Sequence, residues 1–478
     1  MAKTPRVDQQ QPAVRFGTSG WRGVLGEDFH LPGARAVARA LADWAGAPAS
    51  APRILVARDT RFQGERLAEE AAAVLAAAGA RPLLCAGVTP TPVAATTVRR
   101  RRLAAGIVFT ASHNRAAYQG LKVVAPWGGI APPPITDRLA AEANRLLTRG
   151  GVPIPGNPPS SRKGAAPEAA YLRALFARLD RSALAAARPA IVYDAMHGAG
   201  ASVAQQAFRN LGVRLHCLRS APDPTFGGSA PEPSASTLGA LTERLSRARG
   251  LWLGIATDGD ADRFAAVDVG GELLGEADAL ALLVDHMVRT GRARRGLAIS
   301  IATGSLPEQV ARAHGLPVQR LPIGFKHLTQ ALVEGSADLA GEEAGGFAWA
   351  PLARDKDGIL AGCLMAELVA QSRAPLGARL AELRAVHGSA VWGRSGLASG
   401  PAQQRRLERL GVAPPARFDG QRVVEADSQD GLRLDLAGGG FVLWRGSGTE
   451  PVIRVYAEAP HRAGLRRRLR AGLSALSD

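Results

Sequence analysis

Short apolar runs alternate with longer alanine- and leucine-rich stretches along most of the chain. Several of the short runs are rich in valine or isoleucine and lead into polar or glycine-rich segments, as at 53–58, 106–110 and 189–194. The short runs predict buried strands, and the longer stretches predict helices between them. This alternation is typical of α/β units, in which helices connect parallel strands.

The length of 478 residues predicts roughly three or four domains, because a single hydrophobic core rarely serves so long a chain. A proline-rich segment with two adjacent serines, 150–167, predicts an interdomain linker. We therefore expect domains at 1–150, 165–268, 269–387 and 388–478.

Composition limits the classes of partner. The 59 basic and 42 acidic residues leave a net charge of +17, but the arginines are spread along the whole chain, so we expect no nucleic-acid partner. No uncharged apolar run approaches the roughly 20 residues of a membrane span, and we expect no membrane contact. Residues 1–11 lack the order of a signal peptide, which predicts a loose tail and a cytoplasmic protein.

The few lysines stand out against this arginine-rich background. Three of them, Lys122, Lys326 and Lys356, lie in loops or strands that carry other reactive residues. A lysine is a compact ammonium with a tunable pKa, whereas arginine is a permanently charged fork. We therefore expect these lysines to have chemical roles.

A loop with aspartate at alternate positions, Asp258, Asp260 and Asp262, follows a predicted strand. Three carboxylates at this spacing can converge on one hard cation, and Mg²⁺ favours such oxygen ligands. A calcium EF-hand does not fit, because the sixth loop position is Arg263 and the twelfth is Val269. The loop alone also fits an aspartate-nucleophile phosphatase or a solvated acidic turn.

A second loop places Ser112 and His113 directly after a predicted strand. A nucleophilic serine needs a group that takes its proton, and Lys122 on the next predicted strand is a candidate. A serine whose hydroxyl binds a backbone N–H in a turn is the alternative interpretation.

The segment 445–454 combines two arginines, two hydroxyl residues and two glycines. Guanidinium forks, hydroxyls and accessible backbone N–H groups are suited to a phosphate, and the segment lacks the order of a nucleotide P-loop. A hairpin turn with incidental arginines is the alternative.

A glycine-rich segment, 341–347, carries adjacent glutamates that could accept hydrogen bonds from sugar hydroxyls or belong to a helix-capping loop. Three further polar or glycine-rich loops, 16–23, 324–326 and 354–357, add basic groups.

Taken together and in this order, the motifs resemble the α-D-phosphohexomutase superfamily over about 16–459. Members carry a Thr-Ala-Ser-His-Asn phosphoserine loop, which matches 110–114, and an Asp-Gly-Asp-Ala-Asp-Arg metal loop, which matches 258–263. Their sugar loop is similar to 341–346, and their C-terminal Arg-x-Ser-Gly-Thr-Glu-Pro phosphate loop matches 445–451. The resemblance implies an α/β fold with three similar α/β domains with mixed sheets and a smaller α+β C-terminal domain around a central cleft.

The motifs and the resemblance together indicate a role for each candidate residue. The resemblance implies a phosphorylated Ser112 that binds Mg²⁺ together with Asp258, Asp260 and Asp262. Lys122 is the expected proton shuttle, with His113 and Arg22 in support. The expected substrate-binding residues are Arg263, Lys326, Glu342, Lys356, Arg445, Ser447, Gly448, Thr449 and Arg454.

The implied activity is the interconversion of hexose 1-phosphate and hexose 6-phosphate, of glucose or mannose, through a hexose 1,6-bisphosphate. The chain departs from the family pattern at Ala344, where serine is usual, at Gln119, and over 228–233. Phosphoglucosamine mutase is the alternative enzyme, followed by a metal-dependent sugar phosphatase and a non-catalytic sugar-phosphate-binding protein. We expect a monomer or a homodimer.

Overall fold

The computed structural model describes residues 13–154, 156, 164–446 and 452–477. Within these ranges three α/β units are followed by a smaller unit built on an antiparallel sheet. This architecture confirms the predicted fold class. The strands of each sheet lie within one of the four predicted domain ranges, whose limits stay a prediction. The predicted tail at 1–11 and most of the predicted linker lie outside the described residues.

The first unit is a five-stranded mixed sheet with helices on its faces. Its elements are β1 (Trp21–Val24), α1 (Leu31–Trp44), β2 (Arg53–Arg58), α2 (Gly64–Ala77), β3 (Arg81–Leu84), α3 (Thr91–Arg100), β4 (Ala105–Phe109), β5 (Tyr118–Val124) and α4 (Pro133–Thr148). The strand order is β1-β5-β4-β2-β3, with β2 parallel to β3 and β4, and β5 antiparallel to β4 and β1. The predicted strand 53–58 coincides with β2, and the one at 106–110 is displaced by one residue from β4.

The second unit repeats a parallel centre with an antiparallel edge. Its elements are α5 (Glu168–Phe176), α6 (Arg181–Ala187), β6 (Ala190–Asp194), α7 (Gly200–Asn210), β7 (Arg214–Leu218), a 3₁₀ turn (Phe226–Gly228), α8 (Gly239–Ser246), β8 (Trp252–Thr257) and β9 (Phe264–Val267). The order is β7-β6-β8-β9, and only the β8–β9 pair is antiparallel. The reverse turn between β8 and β9 carries the aspartate loop.

The third unit has the same pattern of strands. Its elements are α9 (Glu276–Arg289), β10 (Leu297–Ser300), α10 (Leu306–Ala313), β11 (Val318–Leu321), α11 (Phe325–Glu334), β12 (Leu339–Glu342), β13 (Gly346–Trp349), α12 (Gly358–Ser372) and α13 (Leu376–His387). The order is β11-β10-β12-β13, and β12 and β13 form the antiparallel hairpin. The glutamate-glycine segment is the turn of this hairpin.

One hydrophobic core joins the second and third units. Helix α12 is buried over nearly its whole length and packs against β8 and β9 of the second unit as well as β13 of the third. Its apolar residues surround the helix axis, as expected for a helix with no solvent-facing side. Because both units share this core, the turn after β8 and the turn after β12 are held on one rigid support.

The fourth unit is a six-stranded antiparallel sheet with two helices. Its elements are β14 (Val391–Ala398), α14 (Pro401–Val412), β15 (Arg417–Phe418), β16 (Gln421–Asp427), β17 (Leu432–Leu436), β18 (Phe441–Gly446), β19 (Val452–Ala459) and α15 (Arg462–Ser474). The strand order is β14-β19-β18-β17-β16-β15. The sheet contacts the loop after β10, where Trp392 Nε1 donates to Ala302 O at 2.8 Å and Ser305 Oγ donates to Glu458 Oε1 at 2.6 Å.

Candidate active site

Ser112 lies in the turn between β4 and β5, at the carboxyl edge of the first sheet. Its backbone N–H donates to Thr110 Oγ1 at 2.9 Å, and its φ of 52° lies in the left-handed region that serine rarely adopts. The residue is buried, and its Oγ donates to Asp258 Oδ2 at 2.6 Å. The turn therefore directs the serine hydroxyl at the aspartate loop of the second unit.

Asp258, Asp260 and Asp262 are buried together in the turn between β8 and β9. Each offers an oxygen atom, and these oxygens all lie within 4.8 Å of one another. Asp260 Oδ1 and Asp262 Oδ1 are buried without a hydrogen-bond partner among the described residues. Buried carboxylate oxygens with unused bonding capacity are suited to a divalent cation such as Mg²⁺. The donor set thus fits the predicted metal.

Lys122 projects from β5 into the same cluster and is fully buried. Its Nζ donates to Asp260 Oδ2 and to Asp262 Oδ2, both at 2.6 Å. Burial acts to lower the pKa of Lys122, but the two carboxylates outweigh it and raise the pKa above the ordinary value. In this arrangement the side chain holds its proton.

The electrostatics differ between the two ends of the aspartate loop. Burial, reinforced by the charges of Asp260 and Asp262, raises the pKa of Asp258 to about 8. Burial acts in the same direction on Asp262, but Lys122 and the cations next to it hold the pKa of Asp262 below the ordinary range. The negative charge of the loop is therefore concentrated on the side that faces the lysines.

His113 and Arg22 lie beside the serine. His113 Nδ1 is 3.5 Å from Ser112 Oγ, and burial together with two nearby guanidinium groups lowers the pKa of the imidazole well below its usual value. Arg22 on β1 donates to Asn114 Oδ1 at 3.3 Å and to Ser19 O at 3.2 Å. Both predicted supporting residues thus contact the serine turn.

Three predicted substrate-binding residues surround the other side of the aspartate loop. The backbone N–H of Arg263 donates to Asp258 Oδ1 at 3.1 Å, and Arg263 pairs with Gly346 in an isolated β-bridge. Lys356 Nζ lies 3.4 Å from Asp262 Oδ2 and 3.9 Å from Glu342 Oε1. The turn after β12 and the turn after β8 therefore meet.

Ala344 borders a cavity of about 290 Å³ between the second, third and fourth units. The polar residues that line the cavity include Glu232, Arg263, Glu343 and Arg394. Glu343 is turned toward β10, where its carboxylate accepts a hydrogen bond from Ser300 Oγ. The position that lacks the usual hydroxyl thus faces a space next to the aspartate loop.

Arg445 is the last but one residue of β18 and is linked to the third unit through Asp430. Arg445 Nε donates to both oxygens of Asp430, at 2.9 and 2.8 Å, and Asp430 Oδ2 also accepts from the backbone N–H of Ile323 at 2.8 Å. Arg454 lies directly opposite Arg445 on β19. Lys326, in the first turn of α11, lies three residues after Ile323 and is half-buried. Ser447, Gly448 and Thr449 lie outside the described residues.

One contact of the site was not predicted from the sequence. Thr91, the first residue of α3, donates from Oγ1 to Asp260 Oδ2 at 2.5 Å. A threonine before a proline at the start of a helix is usually interpreted as local capping, and no feature of the local sequence points to the aspartate loop.

The helices in the described part of the chain are all too short or too polar to span a lipid bilayer.

Four family models match successive parts of the chain. Three describe the alpha/beta/alpha domains I, II and III of phosphoglucomutase/phosphomannomutase and match 13–149, 169–271 and 277–386. The fourth describes the C-terminal domain of the same family and matches 372–471.

Similar proteins cover nearly the whole chain. A phosphoglucomutase/phosphomannomutase of Thermococcus kodakarensis is 28% identical over 97% of this chain and 98% of its own length. A phosphoglucosamine mutase of Symbiobacterium thermophilum is 30% identical over 95% of this chain and 96% of its own length. The crystal structure of a candidate phosphomannomutase from Thermus thermophilus superimposes with a TM-score of 0.83 at 28% identity, over 98% of this chain and 100% of that one.

The matching family models and the mutase relatives identify the chain as an intramolecular phosphotransferase, an enzyme that relocates a phosphoryl group on its substrate. More narrowly, the chain belongs to the α-D-phosphohexomutase superfamily. Relatives named for different sugars match the chain about equally well, so membership of the superfamily does not determine which sugar phosphate is the substrate.

Proposed function

We propose that this enzyme interconverts hexose 1-phosphate and hexose 6-phosphate through a phosphorylated Ser112 and a bound hexose 1,6-bisphosphate. The observation that carries the proposal is the 2.6 Å hydrogen bond from Ser112 Oγ to Asp258. A buried hydroxyl at the edge of a carboxylate cluster is placed where a phosphoryl group and a cation would meet. A mere turn serine would need neither the burial nor the carboxylate partner.

Asp258, Asp260 and Asp262, together with an oxygen of phosphorylated Ser112, would hold Mg²⁺. The two unpartnered oxygens of Asp260 and Asp262 support this donor set. When bound, the cation would neutralise charge on the transferred phosphoryl group, which is the main catalytic demand in phosphoryl transfer.

The reaction needs a transfer in each direction. The bond between phosphorus and Ser112 Oγ breaks as phosphorus bonds to the free hydroxyl of the sugar phosphate, which gives the bisphosphate. Lys122, protonated where it lies, would supply a proton to Ser112 Oγ as that bond breaks, and it would regain a proton from the sugar hydroxyl as that oxygen bonds to phosphorus. The bisphosphate then reverses its orientation, and Ser112 takes back the other phosphoryl group.

A bisphosphate requires several cations, and the chain supplies them from three units. Arg263 and Lys356 lie beside the aspartate loop. Arg445 and Arg454, paired on adjacent strands, would hold the phosphate that is not reacting, with Lys326 nearby. Because each arginine fork binds two phosphate oxygens, the same pair of arginines can bind the phosphate at either end of the sugar.

We propose glucose or mannose phosphate as the substrate, with glucosamine phosphate as the second candidate. Glu342 would accept hydrogen bonds from sugar hydroxyls. The Glu-Glu-x-Gly-Gly order at 342–346 favours the first pair, whereas the many relatives named phosphoglucosamine mutase favour the second. Ala344 removes one hydroxyl from this loop and is expected to tune the choice among sugars.

A coupled assay on purified protein tests the proposal. Glucose 1-phosphate, mannose 1-phosphate and glucosamine 1-phosphate are compared, with the bisphosphate supplied, and both 6-phosphate and inorganic phosphate are measured. We expect isomerisation of at least one sugar, its loss in excess EDTA, and its return with Mg²⁺. Net release of inorganic phosphate would instead identify a phosphatase, and binding without turnover would identify a sugar-phosphate-binding protein.

A further inference from the structure

A buried guanidinium lies directly behind the serine turn. Arg61 follows β2 in the first unit and is 3% exposed. Burial lowers the pKa of Arg61, an effect that nearby carboxylates offset in part. A charge buried to this degree is retained in a fold only where specific contacts compensate for the loss of water.

Four of these contacts are backbone carbonyls of the serine turn. Arg61 Nη2 donates to Ser112 O at 2.8 Å and to Asn114 O at 2.6 Å. Arg61 Nη1 donates to Arg115 O and to Tyr118 O, both at 2.9 Å. One side chain thus binds nearly the whole turn, from the serine to the first residue of β5.

The remaining edge of the guanidinium faces a carboxylate. Arg61 Nε lies 3.2 Å from Asp59 Oδ2, and Asp59 is fully buried. The four N–H groups of the two Nη atoms thus all bind carbonyls, whereas Nε has no hydrogen-bond partner among the described residues and is buried beside the Asp59 carboxylate as an ion pair. Arg61 therefore has no Nη–H left for a phosphate of the substrate, and its Nε is buried against Asp59.

The turn that Arg61 binds has little freedom on its other side. Ser112 has a left-handed φ of 52°, and its carbonyl is so close to the aspartate loop that a Cβ added at Gly259 would lie 2.4 Å from Ser112 O. The ring of Phe226, from the second unit, covers the guanidinium at 4.8 Å. A shift of this turn would move Ser112 Oγ away from Asp258.

We propose that Arg61 is the positioning residue that holds the serine turn in the geometry for phosphoryl transfer. The guanidinium binds four backbone carbonyls of the turn and so fixes the direction of Ser112 Oγ. It does this without contacting the substrate. The proposal rests on the proposed function for its catalytic consequence, but the ordering of the turn can be measured without substrate. A lysine cannot replace Arg61, because an ammonium has three donors and no planar fork.

The test compares Arg61→Lys with Arg66→Lys in the full-length protein. Arg66 lies five residues further on, and its side chain is 59% exposed, so this variant controls for the substitution itself. Hydrogen exchange measured by mass spectrometry on peptides that cover 110–120 reports the order of the turn. Steady-state kinetics with the best hexose 1-phosphate separates kcat from KM.

For Arg61→Lys we expect faster exchange in the 110–120 peptides with little change elsewhere, a kcat reduced on the order of 10²-fold, and a KM close to that of the parent. Arg66→Lys should match the parent in all three. Unchanged exchange would overturn the proposal, as would a raised KM at unchanged kcat, since that result would place Arg61 on the substrate.

Asp59→Asn covers the case in which Arg61→Lys does not fold. It removes the charge next to Nε and leaves the four carbonyl contacts available, so we expect the same pattern with a smaller loss of kcat. A folded Asp59→Asn protein with parental exchange and kcat would contradict the proposal. A parent protein without mutase activity would refute the proposed function, while the exchange comparison would still decide whether Arg61 orders the turn.

Discussion

Thr91 and Asp260 are joined by two hydrogen bonds although they are 169 positions apart in the chain. Thr91 Oγ1 donates to Asp260 Oδ2 at 2.5 Å, and Thr91 N donates to Asp260 O at 3.0 Å. The start of α3 in the first unit therefore holds the aspartate loop of the second. Since Asp260 Oδ2 is engaged by Thr91 and Lys122, the unpartnered Oδ1 is the oxygen left for a cation.

Thr91→Val should weaken binding of Mg²⁺ without unfolding the protein. The change keeps the shape of the side chain and removes a donor to a buried carboxylate. Loss of a group that orients a metal ligand typically costs about 10- to 100-fold in metal affinity. Isothermal titration of the purified protein with Mg²⁺ measures the effect.

Thr97→Val is the matched control, because Thr97 lies in the same helix and is also buried. Its Oγ1 donates at 2.7 Å to Val93 O, one turn earlier, and has no link to the aspartate loop. We expect parental affinity for Mg²⁺ in this variant. Equal affinities in the two valine variants would show that Thr91 does not orient Asp260.

Local sequence was enough to predict the strands and the loops that follow them. The predicted strand at 53–58 is β2, and the aspartates at alternate positions do converge. Both features depend on residues close together in the chain, where apolar runs and side-chain spacing determine what is buried and what is exposed.

Contacts between segments that are far apart in the chain could not be predicted in this way. Thr91 and Arg61 act on partners 169 and 51–57 residues away, and neither has a distinctive neighbourhood in the sequence. The one available signal for Arg61 is its place in a polar loop directly after a predicted strand, the same position that holds Ser112 and Asp258. Tertiary packing decides which of these loops meet.

Ser112→Ala should abolish turnover and leave substrate binding largely intact. The hydroxyl is proposed to carry the phosphoryl group, whereas the residues proposed to bind the other phosphate of the substrate lie in the fourth unit. Phosphopeptide mapping of the active parent protein should find phosphate on Ser112, and the variant should bind hexose 1-phosphate with similar affinity in titration calorimetry. Phosphate on a different residue, with Ser112 unmodified, would contradict the proposal that Ser112 carries the phosphoryl group.

Arg445→Ala should weaken binding of the 1-phosphate and the 6-phosphate of the same sugar alike. Asp430 holds Arg445 at Nε, so both Nη groups can face a phosphate. Loss of such a charged contact costs about 2–3 kcal/mol. Calorimetry in a Ser112→Ala background prevents conversion of one ligand into the other.

Arg417→Ala serves as the control for Arg445→Ala, since Arg417 lies in the same unit and is exposed. Its affinities for both ligands should equal those of the parent. Arg445→Ala could instead weaken the binding of only one phosphate isomer. That result would contradict the proposal that one phosphate site binds both ends of the bisphosphate in turn.

Asp357 couples the second and third units in a way that depends on pH. Tyr171 Oη donates to both of its oxygens, at 2.9 and 2.8 Å, and the backbone N–H of Leu360 donates to it at the start of α12. Burial raises the pKa of Asp357 to about 6. A carboxyl with a raised pKa binds its proton more tightly when folded, so its contribution to stability falls as the pH rises toward 6 and is constant above.

Asp357→Asn should remove this pH dependence, because the amide keeps an acceptor for Tyr171 and Leu360 but does not ionise. Between pH 5 and 7.5 the parent should lose about 1 kcal/mol more of its free energy of unfolding than the variant does. Urea unfolding at the two pH values measures the difference. Asp180→Asn is the control: Asp180 also caps a helix, but its hydrogen bonds lower its pKa to about 2, so it stays ionised over this range. A parent and an Asp357→Asn variant with the same pH dependence would show that Asp357 is ionised in the folded protein throughout.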